Sequence, residues 1–221
     1  MKFFLSVLVV LFLFVNLHCG NGSANKDPKD AVSQDSIIVP VKKYDLKSSI
    51  ISYTNVMKTA GMEAKSRQVL YFTDSGKLQC REIFMTNPAN GKEVLTASII
   101  AKEGYVYTYS TMTMTGTKTK SSTRFIAGTD MFQDIDKMKQ MYKFVELAND
   151  TVCGKQCKVT LVTLPSGNAK ITTWNEVVLS TSFFDPKTKM SADMKAFKIE
   201  ENVEVPLSKF EIPADVKFVI R

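Results

Sequence analysis

Apolar and β-branched runs, broken at short intervals by glycine- and asparagine-bearing turns, govern what this chain can fold into. Ser49 to Thr59, Ala64 to Phe72, Lys77 to Met85 and Glu93 to Ala101 are each long enough for a strand. Between them stand Asp74-Ser75-Gly76, Asn87-Pro88-Ala89-Asn90-Gly91 and Lys102-Glu103-Gly104, the last leading into Tyr105 to Thr115. Turns of this chemistry joining runs of this length predict a meander of antiparallel hairpins. Strands resume at Lys158 to Leu164, with Pro165-Ser166-Gly167-Asn168 turning into Ala169 to Asn175. Val177 to Phe184, Met194 to Val205 and Val216 to Ile220 complete the pattern, the last after a tight turn at Pro206 to Phe210.

One stretch departs from it. Phe132, Ile135, Met138, Tyr142 and Val145 recur at three- and four-residue steps, which places them on one helical face. Asp130 can cap that helix, with Gln133 three residues on and Asp134 and Asp136 at its positive start. A helix over roughly Met131–Val145 is therefore expected. Its methionines read first as a core face and second as adaptable contact with a lipid tail.

Period-2 geometry puts Tyr105, Tyr107 and Tyr109 on one face of their strand. Such a stripe packs a sheet or lines an apolar cavity, and both readings stay open. Trp174 and Phe210 read as anchoring rings.

The first residues carry an address. Lys2 precedes an apolar run, Phe3 to Leu17, broken only by Ser6 and Asn16, and a small-residue exit follows. That order is an export signal, and the run is short of the roughly 20 apolar residues a membrane span needs. Two cleavages compete. Residues 1–19 end in Cys19, which would be the lipid-modified first residue of a bacterial lipoprotein, although Asn16-Leu17-His18 is an unusual approach to it. Alternatively Gly22-Ser23-Ala24 directs cleavage after Ala24 and plain secretion. Residues 20–36, rich in Gly, Asn, Ser, Asp and Lys, read as a flexible tether, leaving 37–221 as a single domain.

Losing the signal removes His18, the only histidine. With it go His-based triads, bases and metal sites. Cys80, Cys153 and Cys157 remain, an odd number for an oxidising compartment. In an extended strand Cys153 and Cys157 lie roughly 13 Å apart, out of disulfide reach. A turn at Gly154 would close that gap, so Cys153–Cys157 is the favoured pair, Cys80 the buried odd thiol, and a bond from Cys80 to either the alternative. Three thiolates without a histidine do not make a zinc site, and C-x-x-x-C is not a redox motif. No metal or cofactor is implied. The net charge of +7 is spread along the chain, densest at Lys118, Lys120 and Arg124. That cluster reads as a solvated edge, or more sharply as contact with anionic headgroups. Nucleic acid is excluded by export and by the lack of a binding motif.

The run Asn202-Val203-Glu204-Val205-Pro206-Leu207-Ser208-Lys209-Phe210-Glu211-Ile212-Pro213-Ala214-Asp215-Val216-Lys217-Phe218 resembles the close of LolA/LolB-like periplasmic proteins, especially their uncharacterised secreted and lipoprotein relatives. Val152 to Val159 looks like the relatives' Gly-Lys-x-Cys segment, and the strand Ile171 to Trp174 falls where they commonly place a tryptophan. The resemblance implies a mainly β, α+β fold: a strongly curved antiparallel sheet, a half-barrel, packed on a helical lid. It also implies an apolar-ligand site in the concave face.

The expectation is thus a non-catalytic envelope lipoprotein held at the membrane through Cys19 and binding a lipid or other apolar ligand. Tyr105, Tyr107, Tyr109, Phe132, Met138 and Trp174 are the candidate lining residues. The alternative is a surface or periplasmic interaction protein that uses the sheet only as scaffold, its protein partner unidentified. An enzyme is disfavoured, since Glu200 and Glu201 face opposite ways on a strand and no nucleophile sits in a recognisable setting.

Overall fold

The computed structural model describes residues 44–59, 61–120 and 142–220. The chain divides between Val39 and Pro40, and every described residue belongs to the second unit. That unit is one twelve-stranded sheet. Its first half is the meander: β1 (Ser49–Thr59), β2 (Met62–Thr73), β3 (Leu78–Thr86), β4 (Glu93–Lys102), β5 (Tyr105–Ser110) and β6 (Thr115–Lys120). The second half is β7 (Lys143–Val152), β8 (Lys155–Leu164), β9 (Gly167–Trp174), β10 (Val177–Asp185), β11 (Met190–Glu201) and β12 (Lys217–Ile220). Among the described residues the spatial order is β12-β6-β5-β4-β3-β2-β1-β11-β10-β9-β8-β7, with β12 and β7 at the edges. Every pairing is antiparallel except β12 with β6.

Three expectations need correction. The run Tyr105 to Thr115 is two strands, because Ser110 Oγ accepts the N–H of Met112 and Thr113 and turns the chain there. Helix Met131–Val145 lies outside the described residues up to Met141, and its final residues are strand. Phe144 pairs with Val162 and Val145 with Leu161, so cross-strand packing prevails over the helical spacing. Among the described residues the only helical pieces are two 3-10 turns, Asp74–Gly76 and Leu207–Phe210. The lid, the signal, Cys19 and the tether all lie outside the described residues. The third correction is the disulfide. Cys153 and Gly154 form a two-residue turn with φ of 50° and 73°, and Val152 pairs with Lys155 straight across it. Cys157 then lies three residues down the returning strand, roughly 10 Å away and beyond bridging distance. Cys80, Cys153 and Cys157 are all free thiols.

The sheet is rolled. β8 and β11 are three strands apart, about 14 Å in a flat sheet. Yet Cys153, at the turn before β8, donates its thiol to the Ala196 carbonyl in β11 at 3.2 Å. At the same end Tyr44 N–H reaches Ser75 O at 3.0 Å and Asp45 N–H reaches Asn175 O at 3.4 Å. Those adjacent residues thereby tie the β2–β3 turn to the β9–β10 turn. Bulges at Ser52/Tyr53, Leu147/Asp150 and Val178/Ser180 supply the local bending.

The outer face of β3–β6 is covered by the chain's own C-terminal segment, which crosses from β11 to pair with β6. Val205, Phe210 and Val216 pack there on Cys80, Ile100, Tyr107 and Tyr109. Lys209 Nζ bonds Glu82 Oε1 at 2.8 Å and Tyr71 donates to Glu82 Oε2 at 3.1 Å, fastening the strap. Gly116 makes the close fit possible. A Cβ there would stand 2.2 Å from the Thr108 carbonyl and 2.7 Å from Tyr109 Cβ. Its partner across the ladder, Phe218, lays its ring edge-on to Tyr107 at 5.5 Å and Tyr109 at 6.2 Å.

Candidate functional site

Alternation along the central strands decides what faces into the roll. Ser49, Ile51 and Tyr53 on β1, Phe72, Leu70 and Gln68 on β2, and Ala196 and Met194 on β11 share the inner face and are all buried. Tyr44 packs on Phe72 with ring centroids 4.5 Å apart and planes tilted by 52°, and donates to Gln79 Oε1 at 3.2 Å, plugging one end. Tyr53, wholly buried, donates to the Val178 carbonyl at 3.0 Å. Gln68 and Arg81 both reach Met194 Sδ, at 3.4 and 3.9 Å, and the Arg81 guanidinium stands 6.0 Å from the Tyr53 ring.

Farther along the same face, burial relaxes on three neighbouring strands together. Asn55 and Met57 on β1, Ser66 and Ala64 on β2, and Ala192 and Met190 on β11 are half-buried. On these three strands the inner face passes from a sealed aromatic end to an accessible, largely apolar end at the β1–β2 and β10–β11 turns, while Val162, Ala169 and Phe183 stay buried there on β8, β9 and β10.

Burial sets the protonation of the phenols in this interior. Burial pushes the Tyr44 hydroxyl up to about 12, with Arg81 opposing, and Tyr53 is raised by the same cause. Both phenols are fixed donors at neutral pH. In the outer cluster, burial likewise pushes the Cys80 thiol up to about 11, far from a reactive thiolate. Among the described residues no group of three His, Cys, Asp or Glu side chains could hold a metal ion.

The predicted lining residues do not converge. Tyr107 and Tyr109 belong to the outer cluster under the C-terminal strap, and Tyr105 packs at its border with Lys118 Nζ 4.2 Å above its ring. Trp174 packs against the inner cluster, with Lys155 Nζ 4.8 Å above its ring and Lys155 paired to Glu201. Phe132 and Met138 lie outside the described residues. Tyr53, Gln68, Gln79 and Arg81 were missed. Gln79 and Arg81 alternate with Cys80 and Glu82, a period-2 signal that marks two faces but not which one is inside. Tyr44 precedes the first strand and carries no pattern.

The fold is similar to that of a solved structure. An uncharacterized conserved protein from Thermus thermophilus superposes with a TM-score of 0.51 at 12% identity, over 80% of this chain and 92% of that one. A chain of the MucA/MucB complex of Pseudomonas aeruginosa gives 0.48 at 10% identity, over 78% of this chain and 59% of that one. A putative outer membrane lipoprotein-sorting protein domain from Vibrio parahaemolyticus gives 0.34 at 11% identity, over 74% of this chain and 88% of that one. No protein-family model and no curated protein matches the sequence.

Proposed function

We propose that this chain is a non-catalytic binding protein of the bacterial envelope, of the LolA/LolB-like kind, that holds a lipid or other apolar molecule in the inner face of its rolled sheet. The observation that carries this is the burial gradient. Met57, Ala64, Met190 and Ala192 leave an apolar surface partly open on the inner face, while Tyr44 and Phe72 seal the far end. On β8, β9 and β10 the same end is closed by Val162, Ala169 and Phe183, so the open apolar surface is confined to β1, β2 and β11. Two sequence features add support: the export-type first residues with Cys19 as the lipid anchor, and the closing Leu207-Ser208-Lys209-Phe210-Glu211-Ile212-Pro213 segment. The open part of the face is largely apolar, with Asn55 bonded to Ser66 among Met57, Ala64, Met190 and Ala192, and such a lining favours acyl chains or similar ligands.

Protein purified from bacterial envelopes is expected to release a lipid in near-stoichiometric amount on organic extraction, read by mass spectrometry. Met57→Asp and Ala192→Asp, which place charge on the accessible part of the face, should release little. Recovery of protein with no bound lipid contradicts the reading.

The scaffold alternative has one observation in its favour. Among the described residues β7 is an edge strand, and most of its residues are exposed. Such an edge offers unpaired backbone groups to an added strand. A stoichiometric cross-linked protein partner, with no lipid recovered, favours that alternative.

A further inference from the structure

The hairpin turns of the meander and its continuation fall into two sets, one at each end of the roll, and the sets differ in charge. The accessible end carries the turns at Gly61, 87–92, 111–114, 165–166 and 186–189. Among the described residues these turns hold Lys92, Lys187 and Lys189 and no carboxylate. The turns of the sealed end, 74–77, 103–104, 153–154 and 175–176, hold Asp74, Glu103 and Glu176 against Lys77 alone.

Flanking residues narrow the contrast without reversing it: at the sealed end Lys102 and Lys120 stand on the strands beside Glu103, and Lys155 is paired to Glu201. Lys58 and Lys65 share the single Glu63, at 3.2 and 2.9 Å, and Glu93 is taken by Arg67 at 2.7 Å. Asp215 and Lys217, beside the β5–β6 turn, offset each other. Asp185 builds its turn, its carboxylate accepting the Thr188 hydroxyl and the Lys187 N–H, each at 2.8 Å; those bonds hold it ionised, so it offsets one of Lys187 and Lys189. Asn90 accepts the Lys92 N–H at 3.0 Å and orders the other lysine-bearing turn. Between the β1–β2 and β10–β11 turns lies a cleft of about 310 Å³ lined by Lys58, Thr59, Gly61, Met62, Glu63 and Lys189. Two methionines project at this end, Met62 at 57% and Met112 at 65% exposure.

Ordered cations around exposed, flexible apolar tips complement a surface that is anionic outside and greasy just beneath. We infer that the accessible end of the roll docks on an anionic lipid bilayer. Lys92, Lys187 and Lys189 meet the headgroup phosphates, and Met62 and Met112 enter between them. The docked orientation points the open part of the inner face at the membrane. It goes beyond ligand binding and stands without it, since the charge contrast owes nothing to an occupied interior.

The test uses the full chain, with Cys153→Ser to remove the exposed thiol and a polarity-sensitive fluorophore on Met112→Cys. A second protein carries the label on Glu103→Cys at the sealed end. With vesicles of phosphatidylglycerol and phosphatidylcholine, emission of the Met112 label should shift to the blue and that of the Glu103 label should not. Vesicles of phosphatidylcholine alone should give no shift. Lys92→Gln, Lys187→Gln and Lys189→Gln together should raise the lipid concentration for half the shift on the order of 100-fold, about fivefold per lysine. Any N-terminal lipid is the same in all these proteins, so it cannot produce the difference. Equal shifts at the two ends, a full shift on neutral vesicles, or an unchanged midpoint in the triple variant overturns the inference. None of these results depends on whether the interior holds a ligand.

Discussion

Tyr53→Ala is expected to lower folding stability by about 3–5 kcal/mol, the range for removing a large buried aromatic side chain. For a domain of this size that is on the order of 10 °C in thermal midpoint. Tyr53 is at 0% exposure where the roll turns from β1 toward β10, and its hydroxyl satisfies the Val178 carbonyl beside a bulge. Truncation leaves both a cavity and a buried carbonyl without its donor. Tyr53→Phe keeps the ring and should cost about 1–2 kcal/mol, which isolates the hydrogen bond. The same phenols set an alkaline limit. Tyr44 moves from an ordinary 10.0 to about 12, and Tyr53 shifts the same way. A group whose folded value is raised contributes stability in full below its unfolded value and loses it as pH climbs through the folded one. Stability should therefore fall between pH 10 and 12, with unfolding and tyrosinate absorbance rising together. A tyrosinate absorbance that reaches its full seven-tyrosine amplitude before the protein unfolds would contradict the buried placement of Tyr44 and Tyr53.

Phe210→Ala should be nearly as costly, again about 3–5 kcal/mol, and should act on the other face. Phe210 is 4% exposed and packs in the outer cluster beneath the 3-10 turn that carries Lys209 to Glu82. Loosening it should free the strap and expose Tyr107 and Tyr109 while β1, β2 and β11 keep their pairing. Hydrogen exchange should rise in β5, β6 and β12 well before it rises in β1. Uniform protection loss across the sheet would mean that strap and roll are one cooperative unit.

How much of this was legible depended on the range of each interaction. β1 was read at its observed limits, Ser49–Thr59, because glycine turns and β-branched runs are local signals. β7 was not. Phe144 and Val145 fit a helical spacing, and only pairing with Leu161 and Val162 makes them strand, a partnership the local pattern cannot display. The tyrosine stripe was correctly placed on one face, but nothing in Tyr105 to Tyr109 says that Phe210 and Phe218 return to cover it. The inner polar residues were invisible as a group for the same reason. Gln68, Gln79 and Arg81 come together only through strand register, and Met194 joins them only because the sheet rolls. The Cys153–Cys157 pairing failed on turn type: a two-residue turn reverses the chain too early for the second thiol to return.

The roll itself is open to a direct chemical measurement. Cysteines introduced singly at Ala196, Phe197 and Lys198 can be oxidised with the native, exposed Cys153, while Cys80 and Cys157 stay buried. With the turn before β8 folded onto β11, at least one of the three should close a disulfide to Cys153 in the monomer, mapped by non-reducing peptide mass spectrometry. A sheet that keeps β8 and β11 their flat distance apart would yield no such bond at any of the three positions.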